Sequence, residues 1–187
     1  MSMENKTRFE VQKILRDNIL AGMSALGITA EGWTVMEANQ TPPTAKTDYI
    51  TFRMLSSARS GWQFGNGVWS ESEQTWLKTN EFIEVQEWEI TVVKRQTGTN
   101  ARLATDFTAE DIVQSLKFWF NGEGCDYFRR NGRMSNLWIK DEQQKEIKDD
   151  SAVNQKPNTF RISLCVPRKV ITRHNVAEEL STGIYPI

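Results

Sequence analysis

Very few side chains in this sequence have the type and spacing that covalent or metal chemistry needs. His174 is the only histidine of 187 residues, and a Ser–His or Cys–His relay works only when the imidazole is held within hydrogen-bond reach of its nucleophile. It opens a stretch, His174 to Ile187, whose apolar residues have no periodicity that would hold it to a core. Cys125 and Cys165 show no CxxC spacing and are too few to staple a chain of this size, so both read as free thiols. There is no Gly-rich phosphate loop, no HExxH, no GxSxG and no zinc-ligand spacing. Asp141, Glu142, Glu146, Asp149 and Asp150 crowd one segment, but they lack a calcium-loop pattern and alternate with lysines, which marks a solvated loop. Two carboxylates about 5 to 10 Å apart can hydrolyse a glycosidic bond, yet nothing in the spacing selects a pair. The expectation is a protein that is not an enzyme and needs no metal or cofactor.

What remains is aromatic. The chain has seven tryptophans, and Trp is favoured both in cores and at protein interfaces. Trp62, Trp69 and Trp76 recur every seven residues with Phe64 among them, but Gly61, Gly65 and Gly67 speak against a helical heptad. The stretch SSARSGWQFGNGVWSESEQTW therefore reads as a loop or an irregular hairpin tip. Exposed aromatic patches of that size seldom occur without a partner. Trp62, Phe64, Trp69 and Trp76 are accordingly candidate subunit-interface residues, with packing inside the chain and ligand stacking as the other readings. A Trp-rich carbohydrate-binding module would use the same rings as stacking platforms.

Composition narrows the partners. With 39% hydrophobic residues the chain is long enough for one core. Lys and Arg number 23 against 24 Asp and Glu, so no broad positive field draws it to nucleic acid or anionic lipid. No apolar run reaches the length of a membrane span and the opening MSMENKTRFE lacks a signal-peptide core. A protein made and used in a cytoplasm is expected.

The elements that position these residues follow from periodicity. Val11, Leu15, Ile19, Met23 and Leu26 line one face of a helix over Thr7 to Leu26, and Gly27 stops it. Trp33 to Met36 is a possible short strand; the Pro42–Pro43 stretch is an extended connector. Tyr49 to Leu55 is the next strand. Glu81 to Gln96 reads as one long strand, but Ile83 and Val85 fall on one parity whereas Trp88, Ile90 and Val92 fall on the other. Either a β-bulge near Gln86 and Glu87 or a change of packing environment along the strand explains that switch. Glu84, Glu87 and Glu89 lie on its wet part. Residues 97 to 106 read as a loop. Thr108 caps a helix whose apolar face is Ile112, Leu116, Trp119 and Phe120, with Phe107 and Ile112 as a hydrophobic staple. A short second helix turns Tyr127 and Phe128 inward and stops at Asn131–Gly132. Asn136 to Lys140 is a strand. Phe160, Ile162, Leu164 and Val166 alternate with Thr159, Arg161, Ser163 and Cys165 in the last strand, and Pro167 is expected to loosen or bulge its pairing. The fold class is α+β: an antiparallel sheet with an N-terminal helix and a helix pair packed on it, residues 1–173 as one domain and 174–187 as a C-terminal arm.

The series resembles the tail terminator, or neck and collar, proteins of long-tailed bacteriophages. The likeness runs over about residues 7 to 173: an amphipathic helix, the ANQ…PP connector before YITFRMLSSARSGW, the strand EVQEWEITVVKRQ, a helix beginning FTAEDIVQSL, a short helix ending RRNG, and FRISLCVPRKVIT. It departs from the pattern in the charged insert at 141 to 156 and in the arm. The resemblance implies a virion structural protein assembled in the host cytoplasm: a homo-oligomeric, hexameric ring that caps the tail tube protein, ends tube growth, and offers the surface for a head-completion or connector protein. DNA crosses its channel without sequence-specific binding, and there is no membrane. It further implies that Glu84, Glu87 and Glu89 are candidate channel-facing residues, where like charge keeps DNA from sticking. Another ring-forming tail or head-completion connector is the nearest alternative.

Overall fold

The computed structural model describes residues 5–28, 33–40, 48–73, 75–93, 107–141 and 158–174; within these, the side chains of 61–65, 141, 172 and 174 are outside the description. The Pro42–Pro43 connector, residues 94–106, the charged insert and the arm beyond His174 lie outside the described residues. The architecture is α+β. Three helices, α1 (Arg8–Ala25), α2 (Ala109–Asn121) and α3 (Glu123–Gly132), cover one face of a sheet built from β1 (Trp33–Glu37), β2 (Asp48–Ser70), β3 (Thr75–Val93), β4 (Ser135–Asp141) and β5 (Asn158–His174). The strand order is β1-β2-β3-β5-β4, antiparallel except for the parallel β1–β2 pair.

Each helix begins where its sequence says. Thr7 caps α1, its hydroxyl accepting from the Glu10 N–H while the Glu10 carboxylate accepts from the Thr7 N–H. Thr108 and Asp111 make the same reciprocal box at α2, at 3.1 and 2.8 Å. Gly27 leaves α1 with φ 73°, as a C-terminal stop requires. The short helix ends differently from expectation: Arg133, at φ 51°, takes the left-handed position, and Gly132 is still helical. Gly132 is needed there for space, since a Cβ would stand 2.6 Å from Met134 Cε.

The core is one cluster. Val11, Leu15, Ile19 and Met23 of α1 and Ile112, Leu116 and Phe120 of α2 meet Ile50, Phe52, Trp88, Ile90, Val92 and the Phe160–Val166 alternation of the sheet. Phe128 of α3 stacks on Phe120 at 5.7 Å. Where the three helices converge, buried Asn18 accepts from Trp119 Nε1 at 2.8 Å and donates to the Gly124 carbonyl at 2.8 Å. Gly22 and Gly124 let the Trp119 ring lie flush, because a Cβ at either would come within 2.8 Å of it.

The structure decides three strand expectations. Of the loop and irregular-hairpin readings of the Gly-spaced aromatic stretch the hairpin holds: β2 runs on to Ser70, with a register slip between Ser60 and Phe64, up to a tight turn at 71–73. β3 keeps unbroken register with β5 from Trp76 to Val92, and the irregularities sit on β2, between Met54 and Ser56 and between Ser60 and Phe64. The parity switch in β3 is thus a change of packing environment: on the Thr75 side of Gln86 the strand extends beyond its helical cover. Pro167 causes no bulge either, since Ile83 pairs with it in register. β4 pairs only as far as Cys165, so Pro167 lies on an open edge, where a missing N–H breaks no ladder.

Replacing Asn18 by Ala strands the Trp119 N–H and the Gly124 carbonyl in the core and is expected to cost about 2–3 kcal/mol. Urea unfolding measures this; an unchanged midpoint would contradict the account of the helix junction.

Candidate assembly surface

The helices, β1 and β4 all cover the same end of the sheet. β1 pairs with Asp48–Phe52 and β4 with Phe160–Cys165, whereas β2, β3 and β5 continue together to Ser70, Thr75 and His174. Their distal parts form a three-stranded ribbon with two open edges. Nine residues of β5, Val166 to His174, lie beyond β4, so the overhang is about 30 Å long.

The ribbon's two faces are both apolar in part. On the side continuous with the helix-covered face, Trp69 and Trp76 are opposite each other in register and meet edge to face at 5.8 Å, and exposed Val170, paired with Asn80, is on the same face. Trp76 is 47% exposed. On the reverse side, Val68, Ile83 and Ile171 are 62%, 47% and 57% exposed. The glycines fit this arrangement: a Cβ at Gly67 would sit 3.8 Å from the Trp76 ring, so the indole lies over bare backbone, a known rescue of glycine in strands. Trp62 and Phe64 also belong to β2, with Phe64 opposite Glu81, but their side chains are outside the description. Because the two described indoles meet edge to edge-on face, they do not form the flat paired platform on which a sugar stacks.

Weak polar contacts tie the strands to one another. Glu73 in the turn accepts from Arg173 Nε at 2.7 Å, Lys169 lies 3.7 Å from Glu81, and the Arg59 guanidinium sits 4.6 Å from the Phe82 ring centroid. At the ribbon's root the Glu84 carboxylate accepts from Ser57 and Arg168, and Arg168 also donates to the Lys6 carbonyl. The Asn5 amide accepts from the Lys169 N–H at 2.7 Å and donates to its carbonyl, closing the β5 edge at that residue. The more exposed pairs, Arg173–Glu73 and Lys169–Glu81, contribute about 0–1 kcal/mol each, so the ribbon beyond its root is held by little besides its ladder.

The three glutamates are not one surface. Glu84 shares the helix-side parity of Gln86 and Trp88, while Glu87 and Glu89 are on the reverse face. Glu89 is buried between Arg53 Nε, at 2.5 Å, and Arg161 Nη2, at 4.0 Å. In register these form one transverse row, Arg53–Glu89–Arg161, two guanidinium groups on one carboxylate, so Glu89 is not a free repelling charge. Of the two cysteines, both free, Cys165 has its thiol pushed up by burial, which makes it a poor nucleophile. Among the described residues, no group of three or more His, Cys, Asp or Glu could hold a metal ion, and no helix is long and apolar enough to cross a membrane.

The aromatic half of this surface was legible from residue type; Val68, Val170, Ile171 and Ile83 were not singled out. The available signal was the consecutive pair Val170–Ile171, which breaks alternation and so puts an apolar side chain on each face. Comparison with known proteins adds no name: neither a scan of family models nor a search of curated proteins returns a match to this chain.

Burial opposes the charge on Glu84, but the hydrogen bonds from Ser57 and Arg168 outweigh it and hold the carboxyl below its ordinary value. A carboxylate depressed on folding contributes stability above its unfolded pKa, about 4.3, and that contribution vanishes as pH falls through the folded value. Acidification below the ordinary carboxylate range should therefore loosen the ribbon's root, read as faster amide exchange around Arg59 and Arg168, and Glu84→Gln should lack that component. Identical pH profiles for the two proteins would contradict it.

Proposed function

We propose that this chain is a virion structural protein of the tail terminator kind: copies of it close into a ring that caps a phage tail tube, halts its growth and presents the surface to which the head connector attaches. The observation that carries the reading is the three-stranded ribbon with exposed apolar side chains on both faces, Trp69, Trp76 and Val170 on one and Val68, Ile83 and Ile171 on the other. A two-faced blade is poorly suited to a solitary molecule. Three strands become stable when a face is covered, and these side chains are exposed among the described residues. A ring needs two different adhesive patches on each subunit, because its contacts are head to tail; a projecting ribbon supplies the first. The segment order of the sequence supports the tail terminator assignment in particular, a position in the virion neck. Six copies is the number this reading implies. DNA crosses the channel without sequence-specific binding.

Sedimentation of the purified chain should give one discrete species several times the 21.5 kDa chain mass, seen as rings by negative-stain imaging. Trp69→Ala with Trp76→Ala should shift it towards the monomer. Added to polymerising tube protein of the same phage, the ring should shorten the tubes. A monomer at every concentration sinks the assembly reading; rings that leave tube length unchanged sink the terminator assignment and favour another connector ring.

A further inference from the structure

The ribbon has open edges as well as bare faces, and on one edge the chain supplies its own stopper. In an antiparallel strand the N–H and C=O of one residue point to the same side, and that side alternates along the chain. The Asn5 side chain meets both groups of Lys169: its Oδ1 accepts from the N–H at 2.7 Å and its Nδ2 donates to the carbonyl. Lys169 therefore faces away from β3. Because β5 keeps unbroken register with β3, Cys165, Pro167, Ile171 and Arg173 face the same open side.

Taken in order along that side, Cys165 is paired with Ser135 of β4, Pro167 has no N–H to donate, and Lys169 is occupied by Asn5. With Asn5 in place, the free edge among the described residues runs over 171–173, the short limit of a β-strand; without it the edge runs over 169–173, the common strand length. The opposite edge is spoiled in another way, since β2 slips register between Met54 and Ser56 and between Ser60 and Phe64. Unpaired edges invite pairing with another chain, and folded proteins obstruct them.

Asn5 is held from behind. It stands just before the Thr7 cap of α1, so the helix fixes where it begins. Between the two, the Lys6 carbonyl accepts from Arg168 Nη1. Arg168 Nε donates to the Glu84 carboxylate, which also accepts from Ser57. The Arg168 and Glu84 side chains are 16% and 17% exposed, less than either partner in the Lys169–Glu81 and Arg173–Glu73 pairs. Glu84 thus acts at one remove: it aims the guanidinium that grips Lys6, and Lys6 carries Asn5.

We propose that Asn5 and Lys6 form a strap that closes the β5 edge against strand addition, and that Glu84, through Arg168, locks it. An extended segment must displace Asn5 to pair along β5. The strap leaves both ribbon faces bare and belongs to a single copy, so it does not depend on ring formation.

Amide exchange at Lys169 and the growth of thioflavin-binding aggregates, measured on the full chain, test the strap and its lock. Asn5→Ala should raise exchange at Lys169 about fivefold or more, the effect of losing one typical hydrogen bond, while the Ile112 amide, bonded to the Thr108 carbonyl in α2, keeps its wild-type rate. Glu84→Ala should raise Lys169 exchange too, and the double variant should exchange no faster than Asn5→Ala. Both single variants should aggregate sooner than wild type. Exchange at Lys169 or aggregation left unchanged by Asn5→Ala overturns the strap. Exchange left unchanged by Glu84→Ala, or a double variant faster than Asn5→Ala, overturns the lock.

Discussion

The organisation of this molecule depends on one mismatch of length: the central strand is longer than the layer of helices that can shield it. β3 is hydrogen-bonded on both sides along nearly its whole run from Thr75 to Val93. Yet Val11 to Met23, Ile112 to Phe120 and Phe128 cover only the end that contains Trp88, Ile90 and Val92. At that end apolar burial, at about 25 cal/mol per Å², holds the sheet. At the other end backbone ladders and exposed ion pairs are what remain, and hydrophobic side chains stand in water on both sides.

Much of this was visible in the sequence because local rules and the global fold agree there. The Phe160–Val166 alternation, the α1 stripe and the Thr108 cap each follow one period or one hydrogen-bonding rule, and each is found where expected. The misreadings share a cause. Gly61, Gly65 and Gly67 look like breakers, and Pro167 looks like a bulge, when strand propensity is judged without knowing the neighbours. In the fold, register with β3 and an indole laid over Gly67 override the glycines, and an open edge makes the proline harmless. The parity switch from Ile83 and Val85 to Trp88 and Ile90 was real information. It marks where the helical layer ends, and the apolar residues on the uncovered side are exposed.

The glutamates show the limit of reading a strand by composition. Spacing alone groups Glu84, Glu87 and Glu89, but a side-chain period of two sends the first to one face and the others to the reverse. Cross-strand partners then decide their electrostatics: Arg168 and Ser57 engage the first, and Arg53 and Arg161 enclose the last. None of those partners is near in sequence. Glu84 and Glu89 are thereby committed to holding the sheet together.

The most direct measurement is oxidative footprinting of the purified protein, alone, across a concentration series, with labelling read at Trp69, Trp76, Val68 and Ile171. These side chains report the two faces of the ribbon separately. If copies of this chain cover it, labelling is high in dilute protein and falls on both faces together as larger species form. Labelling that stays constant at all four positions while the mass rises would contradict the account.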